Sequence, residues 1–272
     1  MKILSFGEIL YDVSGAQKTV GGAPFNFAVH ASEEGAEVWL VSAVGNDDDG
    51  KKLREEITKR GVFDKFVCLT DKPSGKCLVT LNQEGVPSYN LLSEVAYDYI
   101  ERPHLKDKFN AIAFGTLALR STKNRDTLSN VLKENSFDEV YCDLNLREPF
   151  FTLETVQWCL KNATVLKISE QELEFVCKNF ALSSPLSIME KFSNIHLVIL
   201  TEGEKGATAY LKEGTTFYQP AVKTKVVSTV GAGDSFGGAF LVEYLRSKDI
   251  QEALKKGAKR SAFVCAHLSA IP

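Results

Sequence analysis

Short runs rich in β-branched and aromatic residues alternate with helix-like stretches along most of this chain, and that rhythm restricts the fold more than any other feature. Strand-like runs at 2–6, 37–43, 110–115, 138–143, 164–168 and 196–200 are interleaved with helical patterns at 24–34, 48–60, 122–134, 152–161 and 169–178. In the helical patterns apolar residues recur at threes and fours. Strands separated by helices favour parallel pairing, so the expectation is an α/β fold with a layered, mainly parallel sheet flanked by helices. One region breaks the rhythm. From Phe66 to Tyr89 the pattern is extended, and Lys76–Leu81 and Pro87–Asn90 flank the turn-rich Asn82-Gln83-Glu84-Gly85, as in a hairpin.

Length and composition fit one large α/β domain over residues 1–272, with 44% hydrophobic residues to fill a core. A net charge of -3, from 32 basic and 35 acidic residues, supplies no general attraction to nucleic acid or to an anionic membrane. Cysteines at 68, 77, 142, 159, 177 and 265 form no C-x-x-C pair and no metal-ligand spacing with the four histidines, so they read as reduced, mostly buried thiols. Met1 leads straight into the strand-like Lys2–Phe6, and no apolar run is long enough to span a bilayer. The compartment expected is the cytoplasm.

The segment with the clearest chemistry is Val227-Ser228-Thr229-Val230-Gly231-Ala232-Gly233-Asp234, set at the opening of an apolar helix. Small residues at 231–233 let backbone amides approach a phosphate, and the helix N-terminus adds its dipole. Asp234 is within reach of the same phosphate. A carboxylate that collects a hydroxyl proton beside amides that hold the transferred charge suits phosphoryl transfer. A helix-capping role for the loop is the plainer alternative.

This segment resembles the G-A-G-D signature of the ribokinase-like (PfkB) carbohydrate kinases. Gly21-Gly22-Ala23-Pro24-Phe25-Asn26-Phe27-Ala28 and Gly45-Asn46-Asp47-Asp48-Asp49-Gly50 are similar to the family's N-terminal elements. Between them and the signature lie Gly7-Glu8 through Asp12, Asp143-x-Asn145-x-Arg147, Lys167-x-Ser169-x-x-Glu172 and Thr201-x-Gly203-x-x-Gly206. The resemblance covers nearly the whole chain and is strongest toward fructokinases. It implies a ribokinase-like three-layer α/β/α sandwich with a small β lid, formed by segments near 11–20 and 66–92, and a possible homodimer through that lid. Implied substrates are ATP and a sugar, with Mg²⁺ as cofactor.

Residue by residue, the resemblance assigns Gly231, Ala232, Gly233 and Asp234 to catalysis, with Asp234 as base and the amides of Ala232, Gly233 and Asp234 as the anion hole. It gives Asp12, Gly21, Gly22, Asn26 and Arg147 to substrate, and Asn145, Lys167, Thr201, Gly203 and Gly206 to nucleotide. Glu172 is assigned to Mg²⁺ through water, in keeping with that ion's attachment to its hydration shell. The residues alone allow blander roles: Asn26 as a helix-start residue, Asp12 as a solvated loop acid, Arg147 paired with Glu148 or Glu154, and Glu172 as a first-turn glutamate. Asp47 is read as an N-cap. Ser228, Ser169 and Ser269 depart from the family pattern; the first and last flank loops that supply oxygen ligands to a monovalent cation in many members, which puts K⁺ in doubt.

The expected reaction is transfer of the ATP γ-phosphoryl group to a hydroxyl of a neutral sugar, fructose first. A substrate carboxylate or second phosphate needs a cation beside it. Segment 8–26 carries only Lys18, and segment 66–90 only Lys72 and Lys76. Arg120 and Lys123 have no assigned place. The alternatives are a kinase of 2-keto-3-deoxygluconate, ribose or a nucleoside, and a non-catalytic sugar-sensing module, which the intact Asp234 disfavours.

Overall fold

A strand covered on both faces needs an apolar residue at nearly every position, and the central strands here are of that kind. In β1 (Lys2–Phe6) Ile3 packs into one core and the adjacent Leu4 into another. The same split separates Ala111 and Ala113 from Ile112 and Phe114 in β8 (Ala111–Phe114), and Leu197 and Ile199 from Val198 and Leu200 in β11 (Leu197–Thr201). The first core is closed by α1 (Ala23–Glu33), α2 (Asp48–Lys59), α7 (Ala232–Ser247) and α8 (Ile250–Cys265). The second is closed by α3 (Thr122–Glu134), α4 (Leu153–Asn162), α5 (Glu170–Phe180) and α6 (Pro185–Lys191). The result is the expected three-layer α/β/α arrangement in a computed structural model that describes residues 1–81 and 87–272.

The large sheet has nine strands. Its order is β13 (Thr216–Pro220), β12 (Gly206–Leu211), β11, β10 (Val165–Ser169), β9 (Glu139–Asp143), β8, β1, β4 (Glu37–Gly45) and β5 (Phe63–Thr70). All neighbours are parallel except the antiparallel pairs β11–β12 and β12–β13. From β1 the chain first extends the sheet through β4 and β5, then returns to β8 on the other flank. The direction of winding therefore reverses between β1 and β8, and a crevice opens beyond their C-terminal ends.

A second sheet has four strands, in the order β3 (Gln17–Gly21), β2 (Leu10–Ser14), β6 (Gly75–Leu81) and β7 (Pro87–Leu91). Hairpins β2–β3 and β6–β7 are antiparallel, and β2 joins β6 in parallel. The turn expected at 82–85 lies outside the described residues. One expectation needs correcting: Phe66–Thr70, read from sequence as part of the lid, belongs to β5 at the edge of the large sheet, paired with Val41–Gly45. An edge strand is covered less on one side, so its exposure alternates, which in sequence looks like a hairpin arm.

Asp47 behaves as read. Its Oδ1 accepts from Gly50 N–H at 2.7 Å and caps α2, while the carboxylate also takes the Ser74 N–H and hydroxyl at 2.9 and 2.6 Å.

Candidate active site

The crevice between β1 and β8 is lined by the residues that leave those strands. Ser5 and Glu8 come from the first, Ala113–Leu117 from the second, and Tyr141, Asp143, Asn145 and Asp234 close it. Asp234 sits in the first turn of α7, whose N-cap is Gly231 at φ 78°. The segment 231–233 thus opens the helix without a side-chain cap. The Ala232 N–H is taken by the Thr229 carbonyl at 3.2 Å and the Ser235 N–H by the Gly231 carbonyl at 2.9 Å, which among the described residues leaves the Gly233 and Asp234 amides for a ligand. The apolar residues that follow, from Phe236 to Val242, bury that helix in the core and hold its N-terminus still.

Lys167 brings a positive charge to the same helix end. It projects from β10, is 5% exposed, and its ammonium would lie 3.1 Å from a Cβ placed on Gly233. It bonds both oxygens of Asp143 at 3.0 and 2.9 Å. Burial works against its charge, but Asp143, Glu172 and Asp234 together hold the ammonium above its ordinary pKa. Burial pushes Asp143 up to about 6 despite that lysine. Asp234 is also raised by burial, with Asn26, Lys167, Arg147 and His30 pulling the other way.

Asn26 reaches Asp234 from across the chain. Its Nδ2 donates to Asp234 Oδ2 at 2.8 Å, and its buried Oδ1 has no partner. An orphaned acceptor costs stability unless a ligand satisfies it, which gives Asn26 a use beyond helix capping. It sits one turn into α1 because Gly21 and Gly22 bring the chain in tightly. A Cβ on Gly21 would lie 2.6 Å from Asp12 Oδ2, and one on Gly22 would lie 2.5 Å from the Glu8 carbonyl. Asp12, half-buried on β2, is raised by burial against the opposing pull of Cys77 and Arg147. Cys77, its register partner on β6, is pushed by burial up to about 12 and is an inert thiol.

Glu8 is the residue that sequence reasoning passed over. It is 3% exposed, accepts from Ala23 N–H at 3.3 Å, and is driven by burial up to about 7, with Asp234 adding to the rise and Arg147 opposing it. Only its place at a strand end, one residue after Gly7, hinted at it.

Asn145 and Glu172 occupy the far side. Glu172 receives Ser169 N–H and Leu146 N–H, each at 2.8 Å, while Ser169 Oγ accepts from Glu172 N–H at 3.3 Å. This reciprocal cap fixes α5 and ties it to the loop after β9. Each carboxylate oxygen keeps one lone pair for water. Asn145 adopts φ 41°, and its carbonyl and that of Leu144 accept from Thr116 Oγ1 at 3.2 and 2.9 Å. Arg147 is exposed and, among the described residues, makes no ion pair, so the pairing with Glu148 or Glu154 is not formed. Thr201 ends β11 and donates to Ile168 O at 3.3 Å; Gly203 and Gly206 bracket the turn into β12. That turn stands apart from the crevice residues.

The other cations are committed elsewhere. Lys18 and Lys76 both pair with Asp49, at 2.8 and 2.9 Å, and Lys72 pairs with Glu94 at 2.7 Å. Arg120 forks onto Asp98 at 2.7 and 2.9 Å between the rings of Tyr97 and Phe150. Lys123 lies over Tyr99. Among the described residues no group of three or more His, Cys, Asp or Glu is arranged to hold a metal, and no helix is long and apolar enough to cross a membrane.

Comparison with known proteins places this arrangement. Probable fructokinase-3 of Arabidopsis thaliana is 29% identical over 92% of this chain and 79% of its own length. A 5-dehydro-2-deoxygluconokinase of Bacillus licheniformis is 27% identical, over 91% and 81%. The structure of an uncharacterized sugar kinase from Pyrococcus horikoshii superposes with a TM-score of 0.87 at 26% identity, covering 100% of this chain and 94% of that one. A fructokinase from Xylella fastidiosa shares the fold at a TM-score of 0.91 and 20% identity, covering 99% and 94%. With the model for "pfkB family carbohydrate kinase" matching residues 2–272, this chain belongs to the pfkB family of carbohydrate kinases.

Proposed function

We propose that this kinase transfers the γ-phosphoryl group of ATP to a hydroxyl of a neutral monosaccharide, fructose, in the cytoplasm. The observation that carries the reading is the part-buried junction of Asp234, Asn26 and the N-terminus of α7, which no side chain caps. Asp234 takes the hydroxyl proton as the new O–P bond forms and the bond to the ADP oxygen breaks. The amides of Gly233 and Asp234, with Lys167 behind them, hold the charge on the transferred group; the Ala232 N–H, expected to join them, is taken by the Thr229 carbonyl. Asn26 keeps the carboxylate aimed and offers its free Oδ1 to the sugar. Asp12 accepts sugar hydroxyls from above, where Gly21 and Gly22 let the backbone come close. Thr201, Gly203, Gly206 and Asn145 serve the nucleotide.

Mg²⁺ neutralises the phosphates when bound. The oxygen-only donors Glu172 and Asp143 fit an ion held mostly through waters and substrate phosphates, and not a closed protein cage. Pairing of two copies through the second sheet fits its exposed edge strand β3; the mass in solution tests it.

Neutral sugar is favoured because Lys18, Lys72 and Lys76 near the second sheet are already paired, Arg120 is held by Asp98, and Arg147 shares its field with Asp12, Glu8 and Asp234. A second reading, a ketosugar acid, takes its support from the 5-dehydro-2-deoxygluconokinase relative and would use Arg147 for the carboxylate. Coupled ADP release decides between them. Fructose should give turnover well above sugar-free ATP hydrolysis; turnover with sugar acids alone supports the second reading. Repeating the assay with tetramethylammonium in place of potassium reads the monovalent-cation requirement.

A further inference from the structure

His30 lies one helical turn beyond Asn26 on α1 and is 0% exposed. Its Nε2 is 2.8 Å from the carbonyl oxygen of Ala270, and its Nδ1 is 3.4 Å from Glu33 Oε2. A buried imidazole must satisfy its donors inside the protein, and a backbone carbonyl is the partner that fixes which nitrogen carries hydrogen. Ala270 in turn presses on the anion hole: a Cβ on Gly231 would lie 2.5 Å from Ala270 Cβ and 3.1 Å from its carbonyl oxygen. Nearby, Val227 N–H donates to the Cys265 carbonyl at 2.8 Å, so the loop before Gly231 also leans on this segment.

Two side chains on one face of α1 therefore grip the two sides of the α7 N-terminus, Asn26 through Asp234 and His30 through Ala270. The helices touch closely between them, since a Cβ on Gly238 would lie 3.2 Å from His30 Cβ. We infer that His30 is a positioning residue for phosphoryl transfer: by donating to the Ala270 carbonyl it holds residues 266–271 against Gly231 and so sets the angle of the anion-hole amides. This rests on the reading of Asp234 and residues 231–233 given above. Misplacing preorganised donors costs rate more than substrate affinity, because the charge they meet develops in the transition state.

Glutamine in place of histidine carries an amide nitrogen about as far out as Nε2, whereas asparagine carries the same group one carbon short. His30→Gln should keep kcat within about threefold of wild type, while His30→Asn and His30→Leu should lower it about tenfold with the sugar KM within twofold, the size expected when one hydrogen bond that aligns the site is lost. Hydrogen exchange of the Val227–Gly233 amides should quicken in the asparagine variant and not in the glutamine variant. That readout needs no turnover, so it tests the clamp even if no sugar is phosphorylated, an outcome that would sink the proposed function alone. If His30→Leu does not fold, the glutamine–asparagine pair decides. Equal kcat and equal exchange in those two variants would overturn the inference, as would wild-type kcat in His30→Leu.

Discussion

The α7 end of the crevice and the four-stranded sheet above it are built to different standards. Lys167, Asp143, Glu172 and Asp234 rise from strands and helices that pack their apolar residues into the two large cores. The second sheet rests on a small cluster, Leu10, Cys77, Val95 and Tyr97, with Tyr11 reaching the first core, and β3 leaves Gln17, Lys18 and Thr19 exposed. Preorganised charge needs a stiff frame, because a donor that reorients during reaction forfeits its advantage. Hydroxyl recognition tolerates a thinner one. The difference fits the proposed division, with chemistry at the first region and substrate choice at the second.

Substitutions in the two regions should accordingly separate kcat from KM. Asp234→Asn keeps the shape and the contact with Asn26 but loses the proton acceptor, so kcat should fall about 10²–10⁴-fold with ATP and sugar still bound in calorimetry. Turnover within threefold of wild type would assign the base elsewhere. Because burial raises Asp234, the acid limb of the kcat profile should lie above the ordinary aspartate range. Asp12→Ala tests the upper region: the fructose KM should rise about tenfold or more while the ATP KM moves less than twofold. Equal changes in both would remove the contrast between floor and lid.

Glu8 stands where the two regions meet. Its folded pKa of about 7, against 4.5 for an unconstrained glutamate, means that the unfolded chain ionises first. Its ionisation therefore costs the fold nothing below pH 4.5, progressively more up to pH 7, and a constant amount above. Glu8→Gln keeps an acceptor for Ala23 and cannot ionise, so it should melt about 5 °C above wild type at pH 8, with the gap closing toward pH 4.5. A gap independent of pH would show that Glu8 is ionised at no cost. The smallest effect belongs to Lys18, whose pair with Asp49 is exposed: Lys18→Ala should change the fructose KM less than twofold and leave the melting temperature within about 1 °C. A large loss of fructose turnover there would mean that the outer strand contacts substrate.

The layered fold was legible because strands buried on both faces show as near-continuous apolar runs, as at Leu197–Thr201, and here they alternate with helical patterns. The last two strands were missed: in the first, Gly206, Ala207 and Ala209 have weak strand preference and its pairing is supplied by neighbours, and the second is a five-residue edge strand that ends at Pro220. Asp234 and its loop were legible as a motif. The bond from Asn26 to Asp234, 208 residues apart, was not, nor was the burial of Glu8, because both arise where the sheet reverses direction and distant loops converge. Arg120 could be placed only once Asp98 was seen to hold it.

The most direct test is a competition assay in which fructose, 2-keto-3-deoxygluconate, 5-dehydro-2-deoxygluconate and fructose 6-phosphate compete for one limiting pool of ATP. A site whose unpaired guanidinium, Arg147, already shares its field with Asp12, Glu8 and Asp234 should give fructose the highest kcat/KM. A clear preference for any of the charged compounds would contradict the assignment of a neutral sugar.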